Sequence, residues 1–217
     1  MSDATPQAEW PHLFRPGSDD ARVLLMLHGT GGNEQEIAGL ASALDPTAAI
    51  LAPRGRVQEN GMNRWFRRLS EGVFDTADVA RRADDLAAFL TWARATYALG
   101  DRPIVAVGFS NGANIALATA LLHPKVLPRV IAFSGMHPLA PSLDADRGID
   151  ARVAAGDLSA SAVLLLNGRT DPMAPLGSVQ KLATMLEQRG AKVQSELRPG
   201  GHGITETDVA AAVAWLA

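Results

Sequence analysis

Ser110 stands in Gly108-Phe109-Ser110-Asn111-Gly112, with the apolar run Ile104-Val105-Ala106-Val107 feeding in and an alanine-rich stretch to about Leu122 leading out. A serine in a glycine-flanked turn between strand and helix projects its hydroxyl at a helix N-terminus, where backbone N–H groups and the helix dipole favour developing negative charge. Bulky residues at 108 and 112 would collide with neighbouring chain in so sharp a turn. The chemistry such a residue can do is nucleophilic attack on an acyl carbon. The plainer reading is a glycine-rich turn with an N-cap serine, and the flanking elements favour the nucleophile.

A serine hydroxyl attacks well only when a base takes its proton. The chain has five histidines, at 12, 28, 123, 137 and 202. In elbow-type sites the chain order is nucleophile, acid, histidine, which leaves His12 and His28 on the wrong side. His123 lies a helix length from Ser110. His137 follows Ser134-Gly135-Met136 and could reach the edge of a site, but none of the acids of the following insert precedes it. His202, in Gly200-Gly201-His202-Gly203, sits between the last strand and last helix, a poor core position and a good one for a movable base.

The acid that orients such a base has one well-placed candidate, Asp171 in Asn167-Gly168-Arg169-Thr170-Asp171-Pro172, just beyond the apolar run Ala162–Leu166. Pro172 stiffens that turn. Asp144, Asp146, Asp150 and Asp157 are rivals by chain order, without a preceding strand to fix them. His28-Gly29-Thr30-Gly31-Gly32 follows the first strong apolar run, and its glycines free backbone N–H groups. The Thr30 N–H, with that of Asn111, is the choice for an oxyanion hole, while His28 reads as structural.

The elements that must position these residues follow from periodicity. Val23–Leu27, Ala48–Ala52, Ile104–Val107, Arg129–Phe133, Ala162–Leu166 and Lys192–Leu197 read as strands. Helices are expected from Asn33 to about Leu44, over Asp78–Ala98, Asn111–Leu122, Gly177–Gln188 and Glu206–Leu216, the last with Thr205 as N-cap and Asp208 three residues on. Strands apolar on both faces, alternating with helices, predict an α/β fold in one domain, a mostly parallel sheet with helices on both faces and ligands at the strand C-termini. Residues 1–15 read as a loose N-terminal segment and 16–217 as the domain. The connection from Arg54 to Thr76 reads as a long loop, of a length that is usually functional or disordered, and the insert from Met136 to Ser161 reads as irregular.

The 217 residues carry 20 basic and 23 acidic side chains and no cysteine. Near-neutral charge gives no reason to expect nucleic acid or an anionic membrane as partner. Without cysteine, disulfides, thiolate metal sites and a thiol nucleophile are excluded. No apolar run is long enough to span a bilayer and the start lacks a signal-peptide pattern, so a soluble, cytoplasmic protein is expected. No metal motif, P-loop or dinucleotide fingerprint appears, and no cofactor is expected. A homodimer is left open.

With these residues in view, the chain resembles the carboxylesterase/phospholipase family of small α/β-hydrolases, which includes the acyl-protein thioesterases. The resemblance spans roughly Val23 to the C-terminus, on Leu27-His28-Gly29-Thr30-Gly31-Gly32, Leu51-Ala52-Pro53-Arg54-Gly55, Gly108-Phe109-Ser110-Asn111-Gly112, Asp171-Pro172 and Gly201-His202-Gly203. It implies an α/β-hydrolase fold without a large cap domain, a triad of Ser110, Asp171 and His202, oxyanion donors from Thr30 and Asn111, and cofactor-free hydrolysis of small acyl or aryl esters through an acyl-enzyme. Asn63-Arg64-Trp65-Phe66-Arg67-Arg68 departs from the acyl-protein thioesterase pattern of an aromatic followed by Asp. It is closer to bacterial carboxylesterases linked to quinone and aromatic-compound stress. Dienelactone hydrolases share general features but use cysteine.

The alternatives are acyl-protein thioesterase or lysophospholipase-like activity, and a non-catalytic ligand receptor on the same fold. On the substrate side, Trp65, Phe66, Met136, Met173 and Leu176 are candidates to line a pocket. Trp65 serves equally well as a core residue under the loop. Arg64, Arg67 and Arg68 could attract a substrate carboxylate or be solvated surface.

Overall fold

The structure, a computed structural model, describes residues 7–70, 72–139 and 147–217. Chain order gives β1 (His12–Arg15), β2 (Val23–Leu27), α1 (Glu34–Leu44), β3 (Ala49–Pro53), β4 (Val57–Glu59), β5 (Met62–Arg64), β6 (Arg68–Ser70), β7 (Val73–Phe74) and α2 (Thr76–Thr96). Then come β8 (Ile104–Phe109), α3 (Asn111–Leu122), β9 (Arg129–Phe133), α4 (Arg147–Ala155), β10 (Ala162–Gly168), α5 (Leu176–Gln188), β11 (Lys192–Arg198) and α6 (Glu206–Leu216). Seven strands form one sheet in the order β1-β3-β2-β8-β9-β10-β11. It is parallel except for β1, which runs antiparallel to β3.

The apolar strands explain this arrangement. All five residues of β2 are fully buried, and they alternate between two cores. Val23, Leu25 and Leu27 face α2, α3 and α5, whereas Leu24 and Met26 face α1 and α6. A strand apolar on both faces is stable only with helices on each side. Asn33 caps α1 by accepting from the N–H groups of Gln35 and Glu36, Asp75 caps α2 through Asp78, and Thr205 forms a capping box with Asp208. Each such cap contributes about 1 kcal/mol.

Two parts depart from the sequence expectation. The stretch His12–Arg15, expected to be loose, pairs with β3 along its whole length. Trp10 anchors it, buried against Phe89 with its indole N–H donating to the Arg54 carbonyl at 2.6 Å. The connection from Arg54 to Thr76, expected as a long loop, holds two small hairpins, β4–β5 and β6–β7. The first turns at Asn60-Gly61, both with positive φ (51° and 77°), as a two-residue hairpin turn requires. Within the insert, α4 is helical, and Asp144 and Asp146 lie outside the described residues.

Candidate active site

The parallel strands end on one edge, and the chemistry-bearing residues all leave from it. Leu27, Gly108 and Ala132 are in register across β2, β8 and β9, as are Gly168 and Arg198 across β10 and β11. Ser110 therefore follows a central strand, with the glycine-rich loop on one side and the Asp171 and His202 loops on the other.

Ser110 has φ 53° and ψ −115°, and its side chain makes no cap hydrogen bond to α3. That removes the N-cap reading. Such a backbone conformation costs about 1–3 kcal/mol and persists only where the surroundings impose it. Here the Ser110 N–H donates to the Phe133 carbonyl at 2.9 Å, and the Ser110 carbonyl accepts from Asn114 N–H at 3.0 Å. The elbow is also packed too tightly for any side chain at 112, where a Cβ would lie 2.0 Å from the Leu27 carbonyl oxygen.

Asp171 and His202 meet. His202 Nδ1 lies 2.8 Å from Asp171 Oδ2, and the carboxylate's other oxygen accepts from the N–H groups of Met173 (2.8 Å) and Ala174 (3.1 Å). The Asp171 side chain is fully buried, so this fixed acceptor holds the imidazole with Nδ1 as donor and Nε2 free to accept. The His202 ring rests on Phe109, 5.1 Å between centroids, one residue from Ser110. Close approach of two loops makes the pairing: a Cβ on Gly168 would lie 2.4 Å from the carbonyl oxygens of both Gly200 and Gly201.

The rival acids do not take part. Asp157 is fully exposed and accepts from the N–H of Ser159 in its own turn, which holds its carboxyl below the usual range. Asp150 lies on α4. Nor do the other histidines approach. His12 contacts the Tyr97 hydroxyl, His123 pairs with Asp84, and buried His137 accepts from Leu139 N–H. His28 is a structural tie, its Nδ1 bonded to the Gly29 carbonyl and its Nε2 accepting from Gly55 N–H at 2.9 Å. Burial pushes its pKa below the ordinary histidine value, keeping it neutral.

Among the described residues, neither the Thr30 N–H nor the Asn111 N–H donates to a protein acceptor. The neighbours of Thr30 are, by contrast, secured: Gly31 N–H donates to the Asn63 carbonyl (2.9 Å), and Asn63 Nδ2 to the Gly32 carbonyl (2.8 Å). Arg64 Nη1 donates to Thr30 Oγ1 at 3.0 Å.

Thr30, Ser110 and Asn111 share a cavity of about 260 Å³ with Arg64, Arg68, Met136 and Met173. Trp65 and Phe66, candidates for its wall, are instead buried in the core. The Trp65 indole donates to the His28 carbonyl (2.8 Å) and its backbone N–H to Asn111 Oδ1 (2.7 Å), so it ties the glycine loop to the elbow from beneath. Phe66 packs edge-on against Phe74. Leu176 begins α5 and is not part of the cavity wall. Arg67 points away, its side chain 61% exposed and paired with Asp75.

Sequence reasoning missed the residues that hold the His202 loop. Ser134, with φ 51°, exchanges hydrogen bonds with the backbone of Gly203. Arg198 donates to the Gly203 carbonyl at 2.7 Å and to Asp208 Oδ2 at 2.6 Å. Ser134 carried no composition signal. Arg198, ten residues before the capping acid of α6, was visible only as a strand-end cation.

The phospholipase/carboxylesterase family model matches residues 9–217. The chain is 37% identical over 204 residues to MhqD of Bacillus subtilis (strain 168), covering 94% of this chain and 96% of that protein. The crystal structure of the Bacillus cereus carboxylesterase superposes with a TM-score of 0.85 at 36% identity, covering 96% of this chain and 93% of that one. YahD, solved with malic acid, superposes at 0.82 with 28% identity, over 95% and 98% of the two chains. Among the described residues no helix is long and apolar enough to cross a membrane. The chain belongs to the phospholipase/carboxylesterase family and is a hydrolase of the α/β-hydrolase fold.

Proposed function

We propose that the protein is a serine carboxylesterase in which Ser110 is the nucleophile, His202 the general base and Asp171 its orienting acid. The observation that carries this reading is the Asp171–His202 hydrogen bond, made by an imidazole that rests on the residue next to Ser110. With Nδ1 donating to Asp171, Nε2 accepts the Ser110 proton as Oγ attacks the ester carbonyl carbon. The carbonyl oxygen becomes an oxyanion beside the Thr30 and Asn111 N–H groups, where losing one donor costs about 3–4 kcal/mol. The imidazolium then protonates the leaving alcohol oxygen as the C–O bond breaks, giving an acyl-enzyme on Ser110. Water, deprotonated by His202, attacks that acyl group, and Ser110 recovers its proton as the acid departs.

The cavity of about 260 Å³ favours a small acyl or aryl ester, since pockets for larger ligands run from about 300 to 1,000 Å³. The solved relatives named as carboxylesterases support the same class. Burst kinetics with p-nitrophenyl acetate test the reading. An initial burst near one equivalent that Ser110→Ala removes is expected, together with covalent labelling of Ser110 by a fluorophosphonate. Binding of the ester without Ser110-dependent turnover would instead mark a receptor. Thioester turnover far above that of short aryl esters would move the activity to the thioesterase class.

A further inference from the structure

Among the described residues that line it, the cavity beside Ser110 is electrically lopsided. Arg64 and Arg68 both face it, and both use Nε to pair with one carboxylate, Glu59, at 2.9 Å each. Two guanidinium groups on a single carboxylate leave one positive charge uncompensated among the described residues of this wall. Arg64 is almost fully buried, and desolvation together with the neighbouring Arg68 lowers its pKa from the ordinary arginine value. A guanidinium stays charged regardless, so the cation is held at a desolvation cost that an incoming anion would relieve. The terminal nitrogens of Arg68 have no acceptor among the described residues, and Arg64 Nη1 reaches only the neutral Thr30 hydroxyl.

The charge is local. Arg67, between them in sequence, faces solvent on its own partner Asp75. Beside the cationic wall lies an apolar rim: Phe74 and Met173 line the same cavity, and Met173 is among the few large hydrophobic side chains that stand exposed. A carboxylate-bearing molecule with an apolar body matches both features, the anion meeting the guanidinium forks and the body meeting the rim.

We propose that Arg64 and Arg68 form an anion subsite, and that the preferred substrate is an ester that also carries a free carboxylate. This rests on the esterase reading of Ser110. Two matched pairs of esters test it. Monomethyl and dimethyl terephthalate differ by an acid on the acyl side, and 3-acetoxybenzoate and its methyl ester differ by one on the alcohol side. The charged member of at least one pair should have the higher kcat/KM, by about tenfold, the worth of one charge-assisted hydrogen bond. That advantage should shrink as salt is raised. Arg68→Gln should lower the charged-to-neutral ratio, Glu59→Gln should raise it by freeing both guanidiniums, and Arg67→Gln should leave it unchanged.

A ratio at or below one in both pairs overturns the subsite, and so does a ratio that Arg68→Gln fails to lower. If neutral esters are turned over in a Ser110-dependent way without charge preference, only the subsite falls. If none of the four esters is hydrolysed through Ser110, the esterase reading falls with it.

Discussion

The backbone N–H of Trp65 donates to Oδ1 of Asn111 at 2.7 Å, joining the hairpin connection to the first residue of the helix behind Ser110. The same tryptophan reaches the His28 carbonyl through its indole N–H, so one buried residue spans both loops that would hold an oxyanion. Asn111→Ala leaves the Trp65 N–H without its acceptor in a dry interior, at a cost of about 1–3 kcal/mol. Trp65→Phe keeps the ring but removes the indole donor. Both variants should melt lower, by about 2–4 °C per kcal/mol lost. Both should also lose kcat more than they raise KM, because the displaced groups are needed in the transition state. Thermal melts combined with steady-state kinetics check this. Unchanged kcat in both would mean that the tie is only structural.

The candidate triad should behave as a unit. Ser110→Ala and His202→Ala should each lower kcat by several orders of magnitude, and the double variant should be little worse than either alone. Asp171→Asn keeps the shape but presents an amide to Nδ1, which favours the wrong tautomer. A loss of about 10⁴-fold in kcat is expected by analogy with other triads. Asp157→Asn, in an exposed turn, should retain full activity. The reverse pattern would overturn the acid assignment.

The contrast between these two aspartates shows what was legible in the sequence. The place of Asp171 beside His202 is legible because a strand of five apolar residues fixes its turn, and period and position then locate the side chain. The same logic located β2, β8 and the capping box of α6, where burial on both faces or a local cap dictates the outcome. It failed where tertiary contacts decide. β1 exists because Trp10 is buried against Phe89, and four residues carry no such message. The β4–β5 hairpin does carry one, Asn60-Gly61, although the length of the connection around it by itself suggests only a loop. Trp65 illustrates a real degeneracy: an aromatic beside a site serves a pocket or a core equally well, and only its two hydrogen bonds decide for the core.

Two buried histidines predict how stability depends on pH. His28 and His137 both have folded-state pKa values pushed below the ordinary histidine value, mainly by burial. In the unfolded chain each protonates near its unperturbed pKa of about 6.5. Above that pH both states are neutral and stability is unaffected. As pH falls below it, the unfolded chain takes up protons that the folded chain refuses, so stability drops until the lowered folded pKa is reached. Each group contributes at most about 1.4 kcal/mol per pH unit over that window. His137→Asn can keep an acceptor for Leu139 N–H while removing one titration. Its melting temperature should fall less steeply than wild type as pH drops below about 6.5. Parallel curves would show that His137 does not contribute.

Glycine substitutions should separate the elbow from the helices that surround it. At Gly112 a Cβ would sit 2.0 Å from the Leu27 carbonyl oxygen and 2.5 Å from that of His28, both backbone atoms with no freedom to yield. Gly112→Ala must therefore part α3 from β2, costing several kcal/mol and displacing Ser110. Gly39 in α1 and Gly177 in α5 meet nothing within 4 Å. At those positions alanine removes unfolded-chain entropy and raises helix propensity, a gain of about 0.5–1 kcal/mol each. Gly39→Ala and Gly177→Ala should raise the melting temperature by a few degrees with esterase activity intact, whereas Gly112→Ala should lose activity and melt well below wild type. A Gly112→Ala protein of normal stability and turnover would mean that α3 and β2 are not packed at the elbow as closely as the carbonyl contacts require.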